Sequence, residues 1–465
     1  MPSVAEVANI ADKESSGVDR YRLNNGLEIW HEPRPGSQSV AVLAVVNVGS
    51  RYESAENNGI SHFVEHMVFT GTEDLSEQAI KRMITRRGGQ WNAWTSYEQT
   101  VYYAHLAAQD LGIALEWLGQ ILTHPTFPED KIDRERAVIF QEKWGRYGWL
   151  VNQLNHLGLG YDLSWHIRRT LFPDSSLNLQ IIGEDQSLDA IDRAQLVDYH
   201  QAHYIPSNVT LIAVGNVESE QIIAQVQRHF SHWQADATPK LLEAPTFPVT
   251  DSDRRIVVRG PEITNQVKLR VVAPTVGYQH EDYWSFEVLS ELLRQILMEE
   301  IRSRHGLIYS VQVYNFPFID TGYFSIEARS QRRHWPKIAD IIHRQLDQLQ
   351  AGNLDDLRLD DAKAALQGKL ALRLEDNFRR AAWLANWVNP TSKSSSIPDY
   401  PEAIAAVEAA DIARMTEAYL AADQRYLAMH LPVATVASSF RWLGIISGVS
   451  LLLWLGKRGW RSRPK

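Results

Sequence analysis

The sequence contains no cysteine. That excludes disulfides, a catalytic thiol and any thiolate metal site, so a bound metal must be held by histidine, aspartate or glutamate. An excess of basic charge is also missing: 47 lysines and arginines face 56 aspartates and glutamates, a formal net charge of -9. General nucleic-acid binding, which needs a basic surface, is disfavoured. Residues 1–19 are polar and of mixed charge, without the apolar core of a signal peptide. Long apolar runs are absent until the C-terminus. There, Trp442 to Gly456 is interrupted only by Ser447 and Ser450, and Lys457, Arg458, Arg461, Arg463 and Lys465 follow.

This run is short for a span, since about 20 residues are usual, but snorkelling by Arg441 and Lys457 and the flanking Trp442 and Trp460 make up the difference. A transmembrane helix over 440–456 with a basic tail at 457–465 is therefore expected, and a buried C-terminal helix is the alternative. The basic tail favours the cytoplasmic side, which would put the body outside; yet no export signal is visible. Either the natural chain starts earlier, or the protein is tail-anchored with its body in the cytoplasm. The second is the expectation.

What the chain has in quantity is core-building material, including 15 tryptophans, and a length that suggests about two to four domains. Strand-like segments at Gly26–Trp30, Val40–Val48, Tyr102–Leu106 and Val209–Val214 alternate with helical patterns at Ile60–Phe69, Ala108–Leu122, Asp130–Trp144 and Ser219–Phe230. The proline-bearing stretch 235–250 reads as a linker. Beyond it the order repeats: a strand at Val267–Val272, a helix at Tyr283–Arg304, strands at Ile308–Tyr314 and Gly322–Ala328, and a helix at Pro336–Leu349. The pattern predicts an α+β fold of two duplicated domains, 20–234 and 251–432, with a mainly antiparallel sheet packed with helices in each. Ser285–Leu292 occupies, in the second copy, the place of His62–His66 in the first, and it holds no histidine.

Read as a helix at about 100° per residue, Ile60–Phe69 places Ile60, Phe63, Val64, Met67 and Val68 on one stripe and His62, Glu65 and His66 on the other face. Two imidazoles one turn apart suit a single zinc ion, and the carboxylate between them lies close enough to act on an attacking water without being a ligand. A catalytic zinc wants a third protein ligand and an open position. The best source is Asp130–Trp144, where Glu135 and Glu142 share a face with Val138 between them. One can reach the metal while the other supports a ligand histidine.

The inverted His-x-x-Glu-His run resembles that of the pitrilysin/insulysin family of zinc peptidases, which includes the mitochondrial processing peptidases. Glu142 follows His66 at the family's spacing, in a similar Glu-Arg-x-Val-x-x-x-Glu context. The resemblance implies that His62, His66 and Glu142 bind one Zn2+ per chain, that Glu65 is the general base, and that Glu135 supports a ligand. Gly88–Ser96 resembles the family's substrate-binding edge strand, with Asn92 and Ala93 in the matching places. Arg302 and Tyr309 match a pair that contacts substrate from the metal-free domain. The implied protein is an endopeptidase for short or unfolded peptides, paired as a homodimer or as a heterodimer with a related subunit, so that each zinc domain faces a partner's Arg/Tyr domain. The alternatives are a non-catalytic scaffold subunit of a membrane complex and a peptide-binding chaperone. His105, His124, His156, His166, His200 and His203 have no partner at ligand spacing and are expected to be structural.

Overall fold

A computed structural model describes residues 7–9 and 17–435, apart from positions within 146–161 and 236–253 and the run 389–396. The expected C-terminal span lies outside the described residues, as does most of the expected linker. Among the described residues, no helix is long and apolar enough to cross a membrane.

The first half builds a seven-stranded sheet from β1 (Val7–Asn9), β2 (Asp19–Leu23), β3 (Glu28–Pro33), β4 (Ser39–Val46), β5 (Gln90–Thr95), β6 (Thr100–Ala107) and β7 (Val209–Gly215). Their spatial order is β1-β2-β3-β7-β4-β6-β5, antiparallel throughout except for β3 beside β7. The second half builds a five-stranded sheet from β8 (Arg255–Ile263), β9 (Gln266–Thr275), β10 (Ile308–Pro317), β11 (Gly322–Gln331) and β12 (Tyr426–Ala434). Its order is β10-β11-β9-β12-β8, with only β8 and β12 parallel. Strand for strand, β3-β7-β4-β6-β5 and β8-β12-β9-β11-β10 have the same connectivity. The duplication expected from the sequence is thus a duplication of topology.

Helices occupy matching places in the two halves. Between β4 and β5 lie α1 (Ile60–Met67) and α2 (Glu77–Thr85); after β6 come α3 (Leu111–Thr123) and α4 (Glu129–Trp144). The first half continues through α5 (Leu163–Leu171), α6 (Asp185–Ala190), α7 (Arg193–His203) and, beyond β7, α8 (Ser219–Phe230). Between β9 and β10 lies α9 (Tyr283–Leu297); after β11 come α10 (Trp335–Gln350) and α11 (Asp356–Arg373). The helix expected over Tyr283–Arg304 is α-helical only to Leu297 and widens into a π-helical stretch over Met298–Arg304.

The uninterrupted apolar character of β4 has a physical reason. Val40, Val42, Ala44 and Val46 point into the helix-covered core of the first domain. Ala41, Leu43 and Val45 point the other way, against Ala381, Trp383 and Leu384 of α12 (Asn377–Ala385). A strand buried on both faces needs no polar alternation. Because α12 belongs to the second half, this packing also joins the domains. Arg380 pairs with Glu32 at 2.5 Å, and Arg34 donates to the carbonyls of Leu374 and Glu375 at 2.9 and 2.8 Å.

α9 and α11 pack together as α1 and α4 do. On α9, buried Glu291 accepts bonds from Arg294, Gln295 and, across on α11, Lys369. Burial raises the Glu291 carboxyl, but these donors outweigh it and hold it down at about 2. A carboxyl depressed in the folded state contributes stability that is present above its ordinary pKa and lost as pH falls through the depressed value. Glu291→Gln is therefore expected to destabilise the protein by about 2 kcal/mol at neutral pH, with the gap closing between about pH 4.5 and 2. Denaturant melts of both proteins across that range check this; a gap that persists at pH 2 assigns the loss to packing instead.

Candidate metal centre

The zinc-motif helix is held from both sides. Its apolar stripe, Ile60, Phe63, Val64 and Met67, is buried in the first core with Val68 just beyond it. Its N-terminus starts at Gly59, whose φ of 96° is left-handed and where a Cβ would stand only 2.7 Å from the Gly183 Cα. The buried Glu53 carboxylate accepts the N–H groups of Gly59 at 2.8 Å and Ser61 at 2.9 Å, covering donors that a helix start leaves open. Ser61 also bonds the Tyr199 hydroxyl on α7 at 2.7 Å.

The opposite face carries the predicted histidines. The His62 and His66 rings meet edge to face, centroids 4.7 Å apart. Glu142, near the end of α4, brings one carboxylate oxygen to 3.7 Å from His62 Nε2 and 3.6 Å from His66 Nε2. One donor atom from each residue lies within 4.8 Å of the others, and among the described residues no other His, Asp or Glu group meets that condition. Ligands about 2.0–2.1 Å from a tetrahedral zinc stand roughly 3.4 Å apart, so the donor set fits that ion with little movement. Burial and the neighbouring His66 push the His62 pKa down to about 3, so its ring is neutral, as a ligand must be.

Glu135 sits one layer behind. Its Oε2 lies 3.4 Å from His66 Nδ1, and its other oxygen accepts from Arg134 at 2.6 and 3.0 Å. Burial raises the Glu135 carboxyl, but His66 and Arg134 outweigh it and the net shift is downward. The residues that anchor α4 in the core are Ile132 and Ile139; Val138, between Glu135 and Glu142, is only partly buried. A carboxylate that orients a ligand imidazole commonly contributes about 10–100-fold in metal affinity. Glu135→Gln should weaken zinc binding by that amount in a competition titration with a chelator; unchanged affinity would show that Glu135 only neutralises Arg134.

Glu65 is buried beside the histidines, and its Oε2 accepts a 2.6 Å bond from the Thr95 hydroxyl. Burial raises its pKa, and the Thr95 bond opposes that rise. Thr95 closes β5, the edge strand, which among the described residues has β6 as its single neighbour. Asn92 and Ala93 lie on that strand and, with His62, Glu65, His66 and Glu142, line one cleft of about 550 Å3. Sequence reasoning brought all of these residues to one place except Thr95, Glu53 and the cleft-lining pair Ile181 and Ile182. Their roles depend on tertiary contacts that no local spacing reports.

Arg302 and Tyr309 form a separate constellation. The guanidinium lies 5.1 Å from the Tyr309 ring centroid, and Tyr309 is 82% exposed on the bulged start of β10. The pair does not line the cleft that holds His62, Glu65, His66 and Glu142 in its own chain. Among the other histidines, His105 bonds Ser39, His200 bonds the Leu122 carbonyl and His156 pairs with Glu184, away from the centre.

Comparison with known proteins turns this geometry into a family assignment. Residues 29–144 match the insulinase (peptidase family M16) model, and residues 190–366 match the model of the M16 inactive domain. The uncharacterized zinc protease YmxG of Bacillus subtilis is 30% identical over 362 residues, which is 77% of this chain and 85% of that protein. The chain belongs to the M16 family of peptidases. The mitochondrial-processing peptidase subunit beta of Lentinula edodes is 27% identical over 86% of each chain. Two solved structures share the M16 two-domain fold: a protease from Helicobacter pylori (TM-score 0.77, 21% identity, 89% of this chain and 99% of that one) and an M16-like peptidase from Alicyclobacillus acidocaldarius (TM-score 0.76, 16% identity, 89% and 98%). The inactive-domain match falls largely on the half where Glu291 and Lys369 hold together the helix pair that corresponds to the one carrying His62, His66 and Glu142.

Proposed function

We propose that this M16 protein is a zinc-dependent endopeptidase that hydrolyses short or unfolded peptides, with His62, His66 and Glu142 holding one zinc ion per chain. The observation that carries the reading is the convergence of those three donors beside a buried carboxylate, in a cleft bordered by a strand edge that is unpaired among the described residues. Bound zinc would supply Lewis acidity towards water and the scissile carbonyl. The chain's own residues do the rest. The free edge of β5 receives an extended peptide by strand addition, which reads backbone more than side chains and so selects chains that can extend. Glu65 takes the proton of the attacking water and delivers it to the leaving nitrogen. Its elevated pKa brings it nearer the value a base needs to do both.

Arg302 and Tyr309 stabilise the oxyanion or hold the peptide from the opposite side. Because they stand outside the cleft of their own chain, this role requires a partner copy or a related subunit facing the zinc domain. The purified chain is expected to contain about one zinc and to cleave an unstructured fluorogenic peptide, with cleavage lost on chelation and regained with zinc. A chain that holds stoichiometric zinc but leaves such peptides intact is a scaffold or a binding protein, and the proposal fails.

A further inference from the structure

Two hydrogen-bonded routes run from the second domain to the zinc helix of the same chain, and they meet at Arg51. The loop before α1 is joined to the β5–β6 turn: Ser50 N–H donates to the Ser96 carbonyl at 3.1 Å, and Arg51 N–H to that of Tyr97 at 2.7 Å. The Arg51 guanidinium, 2% exposed, bonds Glu98 of that turn at 2.6 Å. It also bonds Asp320, in the β10–β11 turn of the second domain, at 2.8 Å. Glu98 in turn accepts the Ile319 N–H at 2.9 and 3.0 Å. Two residues beyond Arg51, Glu53 holds the first turn of α1, immediately before His62. Immediately before the β5–β6 turn, Thr95 holds the Glu65 carboxylate.

We infer that Asp320 is a positioning residue for the zinc site of its own chain, acting through Arg51 on the Glu53 cap and on the Thr95–Glu65 bond. The inference rests on the zinc-peptidase reading above. Charge-assisted bonds in a buried setting are strong and directional, so removing the Asp320 carboxylate takes away one of the two carboxylates that fix the Arg51 guanidinium. A catalytic carboxylate needs placement within about 0.5 Å, so a small shift of the Arg51 loop is felt at the metal. Joining the domains does not require this clasp. α12 packed on the first sheet, with Arg380–Glu32 and Arg34 on the Leu374 and Glu375 carbonyls, already does so. Asp320 does not line the zinc cleft. The second domain would thus serve two sites at once: its own chain's through Asp320, and a partner's through Arg302 and Tyr309.

The test is Asp320→Ala in the full chain, with Asp320→Asn as a milder variant that keeps an acceptor and the turn. Expected for Asp320→Ala are a kcat about tenfold lower with KM within about twofold, zinc loss to a chelator about tenfold faster, and a changed visible absorption spectrum of the cobalt-substituted protein. Asp320→Asn should fall between it and the wild type. Arg51→Lys combined with Asp320→Ala should do no more harm than the worse single change, because the two act in one path. If wild type cleaves no peptide, the peptidase reading fails, while the chelator rate and the cobalt spectrum still decide this inference. A lowered melting temperature with unchanged kcat, zinc release and spectrum would show Asp320 to be domain glue and overturn it. A rise in KM alone would make Asp320 a substrate contact and overturn it as well.

Discussion

Glu65→Gln should abolish peptide hydrolysis while leaving zinc in place. The substitution keeps size and hydrogen-bonding capacity, so the Thr95 hydroxyl retains an acceptor and α1 keeps its packing. What is lost is the ability to take a proton from water. General-base catalysis contributes about 10²–10⁴-fold, and no second carboxylate in the cleft is free to replace it. Glu142 belongs to the donor set, and Glu135 is engaged by His66 and Arg134. A fall of about a thousandfold in kcat, with zinc content and melting temperature unchanged, is the expected result. Activity within tenfold of wild type would remove Glu65 from the mechanism.

Two inactive variants should restore each other. If Arg302 and Tyr309 act on a partner's zinc cleft, a chain carrying Glu65→Gln still supplies an intact Arg/Tyr surface. A chain carrying Tyr309→Phe still supplies an intact zinc half. Each homodimer has two defective sites, whereas a mixed two-fold dimer has one fully intact site. Co-expression in equal amounts should therefore recover roughly a quarter of wild-type activity, against the roughly hundredfold or larger loss expected of Tyr309→Phe alone. No recovery from a demonstrated mixture of chains would mean that the pair serves its own chain or does not serve catalysis. The 82% exposure of Tyr309 in the isolated chain is the feature behind this expectation.

Much of this site was legible in the sequence because its signals are local. The apolar stripe and the metal face of α1 follow from helical phase over eight residues. Glu135 and Glu142, seven apart, had to share a face of α4, and the fold brings Glu135 against His66 and Glu142 against both His62 and His66. The duplication was legible in the order of elements, and it survives as identical strand connectivity in the two sheets. The strand expected over Val40–Val48 is present but ends at Val46, and which layers cover it was not legible, because its second cover is α12, more than 300 residues away. β8 and β12, the parallel edge of the second sheet, went unseen, since their pairing is set by partners distant in the chain. The same limit hid Thr95, Glu53 and the Arg51 clasp. A hydroxyl next to a buried carboxylate, or an arginine between two turns, leaves no periodic trace. The π-helical widening at Met298–Arg304, which carries Arg302 towards β10, was likewise invisible to a reading that continues a helix while its apolar period holds.

Zinc K-edge X-ray absorption on the purified chain tests the central claim most directly. One zinc per chain is expected, bound by two imidazole nitrogens and carboxylate or water oxygens at about 2.0–2.1 Å. His62→Ala or Glu142→Ala should remove one protein ligand and most of the bound metal. Zinc absent from the wild-type chain, or present with a coordination that neither substitution alters, would contradict it.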